Sequence, residues 1–408
     1  MRTRRSTCVL LTASALGVAA LAPSGSARAH HQVQLLPSES AWQYLGQTRS
    51  FDSQAEWPRR GAIRGMTIGP IESSLHPGLG YGSEAYQRTL RETRRLGGTW
   101  VSLTPFGRVW DLSSTGVDPT FEAPFKENFV ALQHAVEQAH AQGLRVMLVP
   151  HLWVESGGWR AEIDPADDAG WERWRRSYGA FLLNWAKLAE ATHVDLLSLG
   201  VELRSWVTTT RAPSFSALIS EVRQVYSGPL TYAANWDDVE QTVILGELDV
   251  IGVNAFFPLA QEEGSKVSRL LQGARDVSQR IGALAKAWSK PVVFTEIGYT
   301  TRTDPAIKPW EWPDNMKDVE INQAAQADAY AALIAPLIDE PWFVGYFVWR
   351  MYADPDDLSQ EAEWGFNPRG KAAELVVRDA FAATWASDGS FDFGTSLSTP
   401  AAESVGKY

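Results

Sequence analysis

KPVVFTEIGYT, residues 290–300, sets a carboxylate directly after a run that reads as a buried strand. Pro291, Val292, Val293 and Phe294 suit an apolar sheet. Glu296 follows two residues later, where a charge must normally be neutralised or paired. The stretch therefore asks which sheet this strand belongs to, and what lies at its end.

Working outward from it, the same apolar run recurs. Strands are predicted over 63–68, 100–103, 145–149, 196–199, 230–233, 250–254, 292–295 and 343–348, and amphipathic segments separate them. Helices are predicted around 83–96, 126–142, 168–191, 214–226, 265–288, 320–337 and 369–385, with only a short connection over 236–247. Eight βα units in 408 residues fit either a doubly wound open sheet or a closed (β/α)8 TIM barrel, and the even count favours the barrel in one catalytic domain. Loop lengths agree. The helix-to-strand links are terse (Gly97-Gly98, Gln142-Gly143, Ser227-Gly228), whereas the segments after strands three, seven and eight are long. In a barrel the long side is the C-terminal end of the strands, where active sites sit.

Glu296 is then at the mouth of strand seven. LLSLGVELRSW, residues 196–206, puts Glu202 at the equivalent place on strand four, so the two converge on one cleft from across the mouth. Two opposed carboxylates are the minimum equipment for cutting a glycosidic bond, one protonated to release the leaving oxygen and one ionised to attack or to activate water. A lone strand-end glutamate is more often a structural partner of an Arg or a backbone N–H; the paired placement favours catalysis. Of 18 tryptophans, nine fall in the post-strand segments: Trp110, Trp153, Trp159, Trp206, Trp236, Trp310, Trp312, Trp349 and Trp364. Indole stacks on the C–H face of a sugar and its N–H reaches a hydroxyl. His151, Asn235, Asn254, Tyr232 and Tyr299 are further strand-end candidates, Arg64 is a candidate charge partner for Glu296, and Asp237 and Asp238 read as a solvated loop rather than a cation site.

The remaining features exclude other classes. Arg2, Arg4 and Arg5, an apolar run from Val9 to Leu21 and Ala27-Arg28-Ala29 form a secretory leader over 1–29, which predicts a mature start at His30 and a secreted or periplasmic protein. No later run is long enough to span a membrane. Cys8, the only cysteine, leaves with the leader, so no disulfide or cysteine-ligated metal is expected. Four arginines leave too, taking the formal charge from -11 to -15 (33 basic against 48 acidic residues), which disfavours nucleic acid and anionic membranes and suits a neutral oligo- or polysaccharide. No phosphate loop, His-Glu-x-x-His segment or G-x-S-x-G elbow occurs, and no cofactor or metal is expected. A lead-in over 30–60, a catalytic domain over 61–385 and a flexible tail over 386–408 complete the division, with a monomer as the expected state.

Taken in order, VMLVPHLWV, LLSLGVEL, LTYAANWDDV, LDVIGVNAFFPL, KPVVFTEIGY, WFVGYFVW and GFNPRGKAAELV resemble glycoside hydrolase family 113, a family of β-mannanases within the clan of retaining (β/α)8 glycosidases, over roughly residues 60–385. That resemblance implies Glu202 as acid/base, Glu296 as nucleophile and Trp349 as a sugar-stacking platform. It also implies that His151, Asn235 and Asn254 line the subsite of cleavage; Trp153, Trp236 and Tyr299, from their strand-end positions, complete the expected substrate-binding set. Two positions depart from the clan pattern: Val201 stands where Asn commonly precedes the acid/base, and Phe256 where Tyr is expected. The expected activity is double-displacement hydrolysis of β-1,4-mannan or a related hemicellulose. A β-glycosidase acting on glucan, galactan or xylan, and a non-catalytic carbohydrate-binding barrel, are the alternatives.

Overall fold

The computed structural model describes residues 62–69, 78–120, 123–311, 319–357, 361 and 363–386, all within one compact unit. The segments expected to be a secretory leader, a lead-in and a flexible tail beyond Ala386 lie outside the described residues, as does Trp312.

Eight parallel strands close into a barrel: β1 (Ile63–Gly69), β2 (Trp100–Leu103), β4 (Arg145–Leu148), β6 (Leu196–Val201), β7 (Leu230–Asn235), β8 (Ile251–Asn254), β9 (Val292–Ile297) and β10 (Phe343–Tyr352), with β1 pairing β10. These are the eight predicted strands. Their apolar character follows from burial on both faces, one against the helices and one inside the barrel. The inner face packs Ile63, Trp100, Met147, Leu196, Val293 and Phe347 together, so the barrel interior is filled. Gly65 has no side chain because a Cβ there would meet the Phe347 ring at 2.2 Å.

The helices are α1 (Glu84–Arg95), α2 (Phe125–Ala141), α3 (Asp168–Ala191), α4 (Arg204–Val207), α5 (Ala212–Arg223), α6 (Val267–Trp288), α7 (Gln323–Ile334) and α8 (Ala372–Ala382). Local chemistry starts several of them. Ser83 accepts from Tyr86 N, Asp167 from Gly170 N and Asn322 from Ala325 N. Over 236–247 the chain forms two 3₁₀ turns, Val239–Gln241 and Val243–Glu247, in place of a helix.

One feature of the loops departs from the sequence reading. Barrel strands β2 and β4 each reach a proline, Pro105 and Pro150, which has no N–H to continue the ladder. Beyond those prolines the two chains pair again as β3 (Phe106–Val109) and β5 (His151–Val154), a parallel two-stranded sheet lifted out of the barrel wall. The join is hydrogen-bonded by Val149 N to Leu103 O and by His151 N to Pro105 O.

Candidate active site

Glu202 ends β6 in a left-handed backbone conformation (φ 51°), which is uncommon for a residue with a side chain and is held from several sides. Its N–H continues the ladder to Ala233 O, and the next N–H, of Leu203, donates to the buried Tyr232 hydroxyl at 2.6 Å. The turn drives the Glu202 side chain over the barrel mouth. Glu296 lies within β9, with Asn254 of β8 beside it in register. The two carboxylates sit three strands apart around the ring and line one cleft of about 670 Å³, together with His151, Trp153, Asn235, Trp236 and Trp349. Trp159, Arg160, Phe256, Trp310, Arg350 and Phe366 complete much of the wall.

Their surroundings differ sharply. Glu202 receives donors on both oxygens: Asn254 Nδ2 at 2.9 Å on Oε1, and Arg160 Nη1 at 2.7 Å and Trp159 Nε1 at 2.9 Å on Oε2. The three donors, one of them the Arg160 guanidinium, fix both oxygens of Glu202 in place. Glu296 is buried against apolar neighbours. Burial first, and the Glu202 charge second, push its pKa up to about 8, while Arg160, Arg350 and Asn254 pull it down. Burial thus raises Glu296 above an ordinary carboxyl, while Glu202 stands among fixed donors.

His151 is held well below its usual pKa, chiefly by burial and then by the Arg160 charge, so its ring is neutral. Nδ1 lies 3.1 Å from Leu152 N and 3.4 Å from Leu152 O, and Nε2 stands 3.9 Å from Glu296 Oε1. The ring also packs 4.5 Å from Phe106 and 6.2 Å from Trp349, centroid to centroid. Trp349, with Phe256 and Phe366, forms an apolar floor, and the Arg350 guanidinium lies 4.8 Å over the Trp349 ring.

Several sequence-derived assignments change. Asn254 is not a cleft-wall residue. It is 1% exposed, accepts from Thr295 Oγ1 and spends its amide N–H on Glu202, so it orients a carboxylate. Tyr299 is fully buried against Tyr330, because its chain position faces the helical layer. Trp206 is likewise core, packed among Trp171, Trp174, Tyr178 and Phe215. Arg64 donates to Ala383 O and lies over Trp385, not beside Glu296. Trp159 lines the cleft but commits its N–H to Glu202. Asp238 and Asp237 both pair with Arg204, whose guanidinium covers the Trp159 ring at 4.6 Å. Arg160 was not among the sequence candidates, since nothing local in GGWRAE distinguishes it from a surface arginine. Among the described residues no group of His, Cys, Asp or Glu could hold a metal ion, and no helix is long and apolar enough to cross a membrane.

The profile of Glycoside Hydrolase Family 113 matches residues 78–371. A GH113 β-mannanase from Alicyclobacillus acidocaldarius, solved in complex with ManMIm, superposes with a TM-score of 0.68 at 26% identity, over 79% of this chain and 98% of that one. A second GH113 β-1,4-mannanase gives 0.68 at 24% identity, over 79% and 99%. A Ruminococcus gnavus β-glucuronidase shares the fold more distantly, with a TM-score of 0.55 at 16% identity, over 79% of this chain and 50% of that one. No curated protein matches the sequence. The closed eight-stranded barrel, the two glutamates at its mouth and the match across most of the chain lead to one conclusion: the chain belongs to glycoside hydrolase family 113.

Proposed function

We propose that this glycoside hydrolase is a secreted, retaining enzyme that cleaves β-1,4-mannan or a closely related hemicellulose, with Glu296 as nucleophile and Glu202 as acid/base. The observation that carries the reading is the convergence of these two carboxylates on one aromatic-walled cleft, each in a different electrostatic setting. The mannanase neighbours support the choice of sugar. The leader motif at the N-terminus supports export, with His30 as the first residue of the mature chain.

In the first displacement, a Glu296 oxygen attacks the anomeric carbon as the glycosidic bond breaks, and Glu202 gives its proton to the departing oxygen. The products are a covalent glycosyl-enzyme with inverted configuration and a Glu202 carboxylate. In the second, Glu202 takes a proton from water, the water oxygen attacks the same carbon, and Glu296 is released. Two inversions restore the starting configuration. The first step needs Glu296 ionised and Glu202 protonated, so substrate entry must offset the burial that raises the Glu296 pKa. A sugar in the leaving-group position competes with Arg160 and Trp159 for Glu202. The Arg160 contact suits the second step, when Glu202 must act as a base. His151 and Asn254 hold the two carboxylates in place throughout.

The test is in two parts. Incubation with β-mannan, glucomannan, cello-oligosaccharides, galactan and xylan, followed by resolution of the products, identifies the sugar and the cleavage pattern. Glu296→Ala should lose hydrolysis by at least about a thousandfold, and azide should rescue it to a glycosyl azide of inverted configuration. Ordinary hydrolysis by that variant would end the assignment.

A further inference from the structure

The sheet formed by β3 and β5 has two unlike faces. Gly107, Val109, Leu152 and Val154 turn inward, and Val109, Leu152 and Val154 are buried in the core between barrel and helices. Because side chains alternate along a strand, the other face carries Phe106 and Arg108 in one lane and His151 and Trp153 in the adjacent lane, and just past the strand ends Trp110 and Glu155 are tied to that face through Arg108. The parallel register sets Phe106 beside His151 and Arg108 beside Trp153.

These rungs run outward from the reacting centre. The first, Phe106 and His151, is buried at the cleft wall beside Glu296. The second contributes Trp153, which lines the cleft and is 48% exposed. The third is Trp110, outside the cleft and 56% exposed. Successive rungs within the strands are about 6.6 Å apart, so the face leads away from the cleft by roughly one sugar ring at a time. Trp110 is braced, with the Arg108 guanidinium 5.2 Å over its ring and Arg108 in turn paired with Glu155 at 3.3 Å. Its backbone carbonyl also accepts from Ser156 N. A large indole kept in water on a supported, fixed surface is an apolar platform in search of a ring. The Arg108 charge is balanced by Glu155, so the surface favours a neutral ring over an acidic one.

We infer that the outer face of the β3–β5 sheet is a sugar-binding track continuous with the cleft, in which Trp153 and Trp110 each stack one further unit of the same neutral β-linked polysaccharide chain. The inference rests on the proposed hydrolase reading and extends it from the bond that is cut to the length of chain that is gripped. The track makes the enzyme selective for long chains, since a short oligosaccharide fills the cleft without reaching Trp110.

The test measures binding of β-1,4-manno-oligosaccharides of two to six units by calorimetry in a Glu296→Gln background, and kcat/KM for the same series in the otherwise unaltered enzyme. Affinity should climb with each added unit and then level off. Trp110→Ala should bring that plateau about one unit earlier and cost about five- to tenfold on the longest chain, with a much smaller cost on the shortest. Trp110→Phe should recover part of the loss. Trp288→Ala, an exposed tryptophan at the end of α6, serves as a control that should leave the length dependence alone. If the enzyme hydrolyses the series but Trp110→Ala and the Trp110→Ala/Trp153→Ala pair keep the wild-type length dependence, the track is refuted while the hydrolase assignment stands. If the wild-type protein neither binds nor cleaves any member, both are refuted.

Discussion

Each oxygen of Glu202 already has a donor, whereas Glu296 is raised by burial against the opposing pull of Arg160, Arg350 and Asn254. Glu296 has an ordinary pKa of 4.5 and a folded value of about 8. Between those values the folded state keeps a proton that the unfolded chain would release, so the folded state binds more protons and stability falls as pH rises. The contribution is most favourable below about pH 4.5 and is fully lost above about pH 8. Wild-type Tm should therefore decline across that window. Glu296→Gln, which carries no titrating group, should flatten the decline and melt about 3–6 °C above wild type at pH 8; melting curves across pH for both proteins decide it. Arg160 supplies the second residue-level prediction. Its charge holds the Glu296 pKa down and lies against Glu202. Arg160→Met should shift the alkaline limb of kcat/KM upward by about half to one unit. A variant that lost activity with an unmoved profile would show that Arg160 merely holds the loop.

The elements place these side chains through features of single strands. β6 delivers Glu202 because its last turn is left-handed and tied to Ala233 and Tyr232. β2 and β4 divert into a separate sheet because paired prolines break the barrel ladder at the same level. Inside the barrel, β1 approaches β10 closely enough that Gly65 and the fully buried Phe347 ring share one space. A methyl group at Gly65 has no low-energy place, so Gly65→Ala should destabilise the fold by about 1–3 kcal/mol. Chemical denaturation should register the loss as a lower midpoint, and the kinetics of the surviving folded fraction should change little.

At the scale of the whole molecule, periodicity carried most of the architecture. Every barrel strand was legible because a strand buried on both faces is apolar along its length and the segments between repeat a helical period. Glu202 and Glu296 were legible for the same reason, as charges standing at the ends of such runs. β3 and β5 were not, because four-residue strands beyond a proline look like loop. Trp206 was read as rim and lies in the core, because a post-strand segment can turn inward as α4 does after Glu202. A formal charge of -11 is spread over a surface whose cleft offers mostly indole and phenyl faces, which is consistent with a neutral polymer as substrate.

The succession of strands and helices and the strand ends that bear the acidic pair were thus determined by the amino-acid sequence alone, which favoured a closed barrel over an open sheet, since periodicity and turn chemistry act over a few neighbouring residues; closure itself is seen in the pairing of β1 with β10. Only the tertiary structure decided that Arg160, 42 positions away, pairs with Glu202, that the Asn254 amide turns to the same carboxylate, and that Arg108 and Trp153 stand side by side. Those meetings depend on the path of long loops and on which groups are left to satisfy one another once water is excluded, and no local pattern of residues encodes that.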